Sequence, residues 1–121
     1  MKILFVDDDP LQLKIITKTF KNLGYEVVGA SSGKSALEMI PTFTPNIIVS
    51  DGEMPEMNGI ELAFNLKDSN IPFFILTSRS MVKNKAESKN YIKSSMLKSE
   101  SPRSISYTIG LIERGIFPGY F

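Results

Sequence analysis

The chain contains neither cysteine nor histidine. Without cysteine there is no disulfide framework, no thiol nucleophile and no thiolate zinc site. Without histidine, the Ser-His-Asp and Cys-His reactions and every histidine metal site are excluded. Long hydrophobic runs are missing too. No apolar stretch approaches the roughly 18 residues that span a bilayer, and no signal-peptide pattern precedes Asp7. The formal net charge is +1, too small to predict nucleic acid or a membrane surface as a bulk partner. The expectation is a cytoplasmic protein with no membrane insertion and no direct nucleic-acid binding. What is left for chemistry is carboxylate, hydroxyl and ammonium groups.

What is present is the composition of an ordinary globular domain: 121 residues, 42% hydrophobic and 22% charged, enough for one core and too short for two. Residues 1–121 therefore read as a single domain. Short apolar runs at Ile3–Val6, Val27–Val28, Ile47–Val49, Phe73–Leu76 and Met96–Leu97 read as buried strands. Between them Leu11–Leu23, Ser35–Ile40, Ile60–Leu66 and Ile105–Ile112 read as amphipathic helices. In the first of these Leu13, Ile16, Phe20 and Leu23 recur at helical spacing. Met81–Ser95 fits less well, with only Val82, Ala86 and Tyr91 to face inward, and reads as a weak fourth helix. Strand-helix repetition with continuously apolar strands implies an α/β fold, a doubly wound five-stranded parallel sheet with helices on both faces. Ligands of such a sheet sit at the carboxyl ends of its strands. There is no internal repeat, linker or low-complexity tract.

Those strand ends carry the chemistry. The first runs into Asp7-Asp8-Asp9-Pro10, the third into Ser50-Asp51, the fourth into Thr77-Ser78 and the fifth into Lys98. In a parallel sheet they all lie along one edge. Two like charges about 4 Å apart repel by roughly 4 kcal/mol at an effective dielectric near 20, so the acidic run calls for a cation. Mg²⁺ suits it, because that ion takes hard oxygen ligands, often one or two carboxylates, and completes its shell with water and phosphate. An Asp, a Lys and a Thr around such a metal make a phosphoryl site. The Asp is the nucleophile, and the metal, ammonium and hydroxyl neutralise the transferring oxygens. Asp9 has a structural reading instead, a helix N-cap with Pro10 at the first helical position. The stretch GASSGKS at 29–35 imitates a phosphate-binding loop. It has three residues between its glycines where that motif needs four, and Val28 stands where the first glycine belongs. A turn with Ser32 or Gly33 starting the second helix is the better reading.

At these residues the chain resembles the receiver domain of bacterial two-component response regulators. DGEMPEMNG, Asp51 to Gly59, looks like that family's D-x-x-M-P-x-M-[DN]-G loop in full. KILFVDDDP resembles its first strand and acidic cluster, SSGKSAL its second helix start, and Ile75-Leu76-Thr77-Ser78 its hydroxyl-bearing strand. Lys98-x-x-Ser101-Pro102 resembles the approach to its last helix, so the likeness spans residues 2 to 114. It implies a flavodoxin-like sheet in the order 2-1-3-4-5, with Asp51 as phosphoacceptor. It implies Mg²⁺ held directly by Asp8 and Asp51, by Asp7 through water, and by the backbone carbonyl of Glu53. Thr77 and Lys98 would each bond a phosphoryl oxygen. The donor would be a phosphohistidine on a sensor histidine kinase or a histidine phosphotransfer protein, which suits a chain with no histidine of its own. Such a domain is not an enzyme in the ordinary sense, catalysing at most its own phosphorylation and slow autodephosphorylation. Its output would be a changed affinity of the face formed by the fourth helix, fifth strand and fifth helix for a downstream protein that the sequence does not identify.

The chain departs from that family in several places. Ser99 follows Lys98 where receivers usually have a proline in a cis peptide. A non-proline cis bond costs about 2.5–4 kcal/mol, so a trans bond is expected. Ser95 stands where an inward-turning aromatic is usual. The fourth helix region is basic, with Lys83, Lys85, Lys89 and Lys93 against Glu87. It reads as a solvated face, with a surface for an acidic partner as the alternative. Glu53 and Arg79, each two residues past Asp51 and Thr77, are expected to face one another and slow the approach of water. The missing proline and aromatic favour an alternative, a pseudo-receiver that signals by contact without phosphorylation. A haloacid-dehalogenase-type phosphatase with Asp7 as nucleophile and Asp9 as general acid is a further rival, but its D-x-D-x-[TV] pattern fails at Leu11. The apolar tail 116–121 would suit packing onto the domain, a linker or a dimer contact. The length leaves no room for an output domain, so the expectation is a stand-alone regulator or a receiver from a longer protein.

Overall fold

The computed structural model describes residues 1–99 and 102–113. Strands β1 (Lys2–Val6), β2 (Glu26–Ala30), β3 (Ile47–Asp51), β4 (Phe73–Thr77) and β5 (Ser94–Leu97) alternate with helices α1 (Pro10–Asn22), α2 (Gly33–Phe43), α3 (Gly59–Asn65), α4 (Ser80–Glu87) and α5 (Pro102–Glu113). All strand pairs are parallel, in the order β2-β1-β3-β4-β5. The register sets Val6 beside both Ala30 and Ser50, Asp51 beside Leu76, and Thr77 beside Leu97. Every strand therefore reaches its carboxyl end at the same edge.

Alternation along each strand sends successive side chains to opposite faces, which explains why the strands are apolar throughout. Ile3, Phe5, Ile47, Val49, Phe74 and Leu76 join Phe20 of α1 and Ile105 and Ile109 of α5 in one core. Leu4, Val6, Ile48, Phe73 and Ile75 join Ala36 of α2, Leu62 and Ala63 of α3 and Ala86 of α4 in the other. Each such large side chain contributes about 1.5–3 kcal/mol on burial. A one-residue slip in register would exchange the two cores entire.

Helix starts follow local chemistry. The Asp9 carboxylate accepts from the N–H groups of Leu11 (3.0 Å) and Gln12 (3.3 Å), and Pro10 occupies the first helical position. Ser32 accepts from Ser35 N–H at 3.0 Å to start α2, so the GASSGKS stretch is a turn and a cap. Asn58 and Glu61 cap α3 reciprocally, at 2.8 and 3.1 Å.

Helix ends differ more from the sequence pattern. The apolar spacing predicts that α2 stops at Ile40, yet it runs through Pro41 to Phe43. Ile40 and Phe43 pack against the core, and that burial offsets the backbone bond the proline cannot make. The pattern extends the fourth helix over Met81–Ser95; the structure ends α4 at Glu87 and gives Ser94 and Ser95 to β5. Ser95 is buried, and its hydroxyl donates to Lys83 O at 3.2 Å and lies 3.4 Å from Glu87 Oε1. Lys83 and Glu87 are themselves ion-paired one turn apart. Pairing with β4 gives Ser94–Leu97 backbone partners and buries Ser95, which a further polar helical turn would leave exposed. Every peptide bond among the described residues is trans, Lys98–Ser99 included. No described helix is long and apolar enough to cross a membrane. Ser101 and the apolar tail 116–121 lie outside the described residues.

Candidate functional site

The site is assembled where β1, β3, β4 and β5 end. Asp7 extends the pairing of β1 with β2 by one rung, its N–H bonding Ala30 O at 3.1 Å. That rung buries its side chain, and both carboxylate oxygens find donors: Asp9 N–H on Oδ1 at 2.9 Å and Lys98 Nζ on Oδ2 at 3.0 Å. Asp8 is exposed. One carboxylate oxygen from each of Asp7, Asp8 and Asp51 lies within 4.8 Å of the other two. Lys98 Nζ is also 3.4 Å from Asp51 Oδ2 and 2.6 Å from Gln12 Oε1.

Asp51 is the last residue of β3, and its Oδ1 accepts from Glu53 N–H at 3.3 Å. Burial raises its pKa above the ordinary carboxylate value, and the neighbouring Asp7 charge adds to this; the Lys98 charge and the Glu53 hydrogen bond only partly oppose it. Burial would lower Lys98, but its hydrogen bond to Asp7 and the charges of Asp51 and Asp7 outweigh that and raise it. The raised Lys98 keeps its ammonium charged at neutral pH, against three neighbouring acidic side chains.

The loop from Asp51 to Gly59 folds back on the acceptor because two glycines permit it. Gly59 N–H bonds Gly52 O at 3.1 Å. A Cβ on Gly59 would stand 2.2 Å from Asp51 O, and one on Gly52 would stand 2.6 Å from Val82 Cγ1 and 3.3 Å from Thr77 Oγ1. Met57 packs over Gly33 at the start of α2, so the loop methionine serves packing. Thr77 is buried, and its Oγ1 accepts from Arg79 N–H at 3.2 Å. Lys98 N–H bonds Thr77 O at 2.7 Å, which ties hydroxyl and ammonium to adjacent strand ends. Arg79 Nη1 reaches Glu53 Oε1 at 3.0 Å, both side chains largely exposed.

Of the residues singled out in the sequence, Asp7, Asp8, Asp51 and Lys98 come together, with Thr77 on the adjoining strand end. The Glu53 side chain goes to Arg79, as the spacing of that pair predicts. Asp9 holds the helix start, so the general acid that a phosphatase reading needs is already committed. Gln12 does not stand out in the sequence, and the burial of Ser95 is not foreseen there. Gln12's signal was its position, three residues past an N-cap on the helix that leaves the acidic strand end.

A family model described as the response regulator receiver domain matches residues 3–105. Among curated proteins, a protein-glutamate methylesterase/protein-glutamine glutaminase of Desulfotalea psychrophila is 46% identical over 70 residues, covering 56% of this chain and 19% of that protein. The alkaline phosphatase synthesis transcriptional regulatory protein PhoP of Bacillus subtilis is 36% identical over 75 residues, covering 62% of this chain and 31% of its own length. The chain thus spans a third or less of either relative. Among solved structures, the Francisella response regulator 1452 receiver domain superposes with a TM-score of 0.83 at 28% identity, over 94% of this chain and 97% of that one. A response regulator receiver domain protein from Clostridium thermocellum superposes at 0.86 and 23% identity over 94% of both, an agreement of fold.

Proposed function

Because the chain belongs to the response regulator receiver domain family of two-component signalling, we propose that Asp51 accepts a phosphoryl group from a phosphohistidine and that this switches the chain's affinity for a partner. The observation that carries this reading is the Lys98 ammonium held between Asp7 (3.0 Å) and Asp51 (3.4 Å) beside three converging carboxylates. An Asp51 oxygen attacks phosphorus; the P–O bond forms as the P–N bond breaks, and the histidine nitrogen leaves with the bonding pair and takes a proton. Burial strips water from the nucleophile, and Lys98 transfers a hydrogen bond from the carboxylate to a phosphoryl oxygen. The Thr77 hydroxyl accepts from Arg79 N–H through a lone pair, which leaves its proton to donate to a second phosphoryl oxygen.

The donor set fits Mg²⁺: hard oxygens only, three carboxylates within reach of one ion, one of them exposed. By the family resemblance, Asp8 and Asp51 would hold it directly and Asp7 through water, and the Glu53 carbonyl would complete the protein's share. When bound, the ion offsets the charge of the transferring phosphoryl oxygens.

The modification takes Asp51 from −1 to nearly −2. Thr77 and Lys98 close on the added group, and the change passes to α4, whose Val82 lies against Gly52. The partner-binding face in this reading is α4, β5 and α5, and the donor is a sensor histidine kinase or a histidine phosphotransfer protein. Intact mass after incubation with Mg²⁺ and acetyl phosphate tests it. Wild type is expected to gain one phosphoryl group and Asp51→Asn none; equal labelling of the two would refute Asp51 as acceptor.

A further inference from the structure

We infer that Gln12 is a positioning residue for Lys98, its side-chain oxygen being the third anchor that holds the ammonium beside the acceptor carboxylate; the role rests on the phosphoryl-acceptor reading above. An ammonium has three N–H donors and no acceptor. Three oxygens surround this one: Gln12 Oε1 at 2.6 Å, Asp7 Oδ2 at 3.0 Å and Asp51 Oδ2 at 3.4 Å. Because the ammonium can only donate, the carboxamide must present its oxygen to it and not its nitrogen. The shortest of the three contacts is thus to the neutral group, and it comes from α1, which adds no other side chain to the cluster.

Lys98 needs an outside anchor in this chain. It follows a four-residue strand at the sheet's edge, its last rung is the bond to Thr77 O, and it already lies in a turn with exposed Ser99, joined to it by a trans bond. Next to the ammonium, between α1 and α5, lies a cavity of about 320 Å³. Apart from Asp7 and Gln12, its one side-chain acceptor is the Thr19 hydroxyl, which already donates to Ile15 O at 2.8 Å; Ile15, Ile16, Phe20, Leu76 and Ile105 carry none. Without Gln12 the third N–H is left, among the described residues, to water or the more distant Thr19 hydroxyl of the cavity wall, and the long side chain has room to leave.

Gln12 is itself placed by the acidic run. Asp9 caps the Leu11 and Gln12 N–H groups and Pro10 sets the first turn, so the helix begins with Gln12 beside the strand ends. The three consecutive acids then have three tasks. Asp7 binds Lys98 directly, Asp9 builds the turn that supplies its second tether, and Asp8 stays exposed for a cation.

The test uses the whole chain, with Gln12→Leu to remove the acceptor and Gln12→Glu to keep one. In nitrogen-15 NMR without phosphodonor, wild type and Gln12→Glu should show a Lys98 ammonium resonance protected from exchange with water, and Gln12→Leu should lose it. With acetyl phosphate and Mg²⁺, labelling of Gln12→Leu should slow roughly three- to tenfold, the net scale of one solvent-accessible hydrogen bond, and Gln12→Glu should restore it. In a Lys98→Met background, Gln12→Leu should make no further difference. A protected ammonium persisting in Gln12→Leu, or equal slowing with and without Lys98, would overturn the inference. Absence of any labelling in wild type would sink the acceptor reading instead, and the ammonium resonances would still decide whether Gln12 anchors Lys98.

Discussion

Asp51 and Lys98 have opposite charges and are both shifted upward, with different consequences for stability. A raised folded-state pKa gives a contribution that is full below the unfolded value and is lost as pH rises through the folded one. For Asp51 the unfolded value is near 3.8, so at neutral pH its ionised form works against the fold. Without divalent cations, Asp51→Asn should therefore raise the thermal midpoint at pH 7, and the gain should vanish as the pH falls through the titration of Asp51. A scan of melting temperature against pH for both proteins checks the sign. For Lys98 the same rule places the loss above its ordinary 10.5, so that contribution is intact at neutral pH. Arg79 and Glu53 belong to another class. Their contact at 3.0 Å is exposed on both sides and adds about 0–1 kcal/mol to stability at most. In our reading its value lies in covering the acyl phosphate: Arg79→Ala should release the phosphoryl group several-fold faster while unfolding changes by under about 1 kcal/mol. A dephosphorylation time course beside a urea titration separates the two.

Among the elements, α3 shows how little helix is needed when both ends of an argument agree. It has seven residues, far below the length at which isolated helices persist. Its capping box and the burial of Leu62 and Ala63 hold it. Asn58→Ala should cost about 1 kcal/mol in urea unfolding, and the Asp51–Gly59 loop, anchored at that cap, should lose order with it. The first two helix starts were legible in the sequence because a cap acts over three residues: Asp9-Pro10 and Ser32 are chemical signals in themselves. Helix ends were not. Whether α2 crosses Pro41 depends on how Ile40 and Phe43 pack, and where α4 yields to β5 depends on a vacant edge of β4 that lies far away in the chain.

The whole molecule is a sheet with a charged edge, and that charge links ligand binding to folding. Three carboxylates gathered against one ammonium leave net negative charge that a divalent cation would balance. Any ion bound only by the folded state stabilises it, by about 2.7 kcal/mol at a hundredfold excess over the dissociation constant. Adding Mg²⁺ should raise the melting temperature of wild type, and Asp8→Asn should remove most of that gain. Calorimetry with and without chelator reads this directly. Stabilisation of equal size in wild type and Asp8→Asn would place the ion elsewhere.

The alternation of apolar strands with amphipathic helices, the acids and hydroxyls at the strand ends, and the DGEMPEMNG loop were all determined by the sequence itself. Periodicity, capping and turn chemistry act within a few residues, so they can be read in order along the chain. Parallel pairing then brings Asp7, Asp8, Asp51 and Lys98 to one edge with no further information. Tertiary structure alone decided the rest: which oxygen meets the Lys98 ammonium from 86 residues away, why Ser95 is buried, and where α2 and α4 end. These depend on contacts between segments far apart in sequence, whose energies are settled only when the elements have packed.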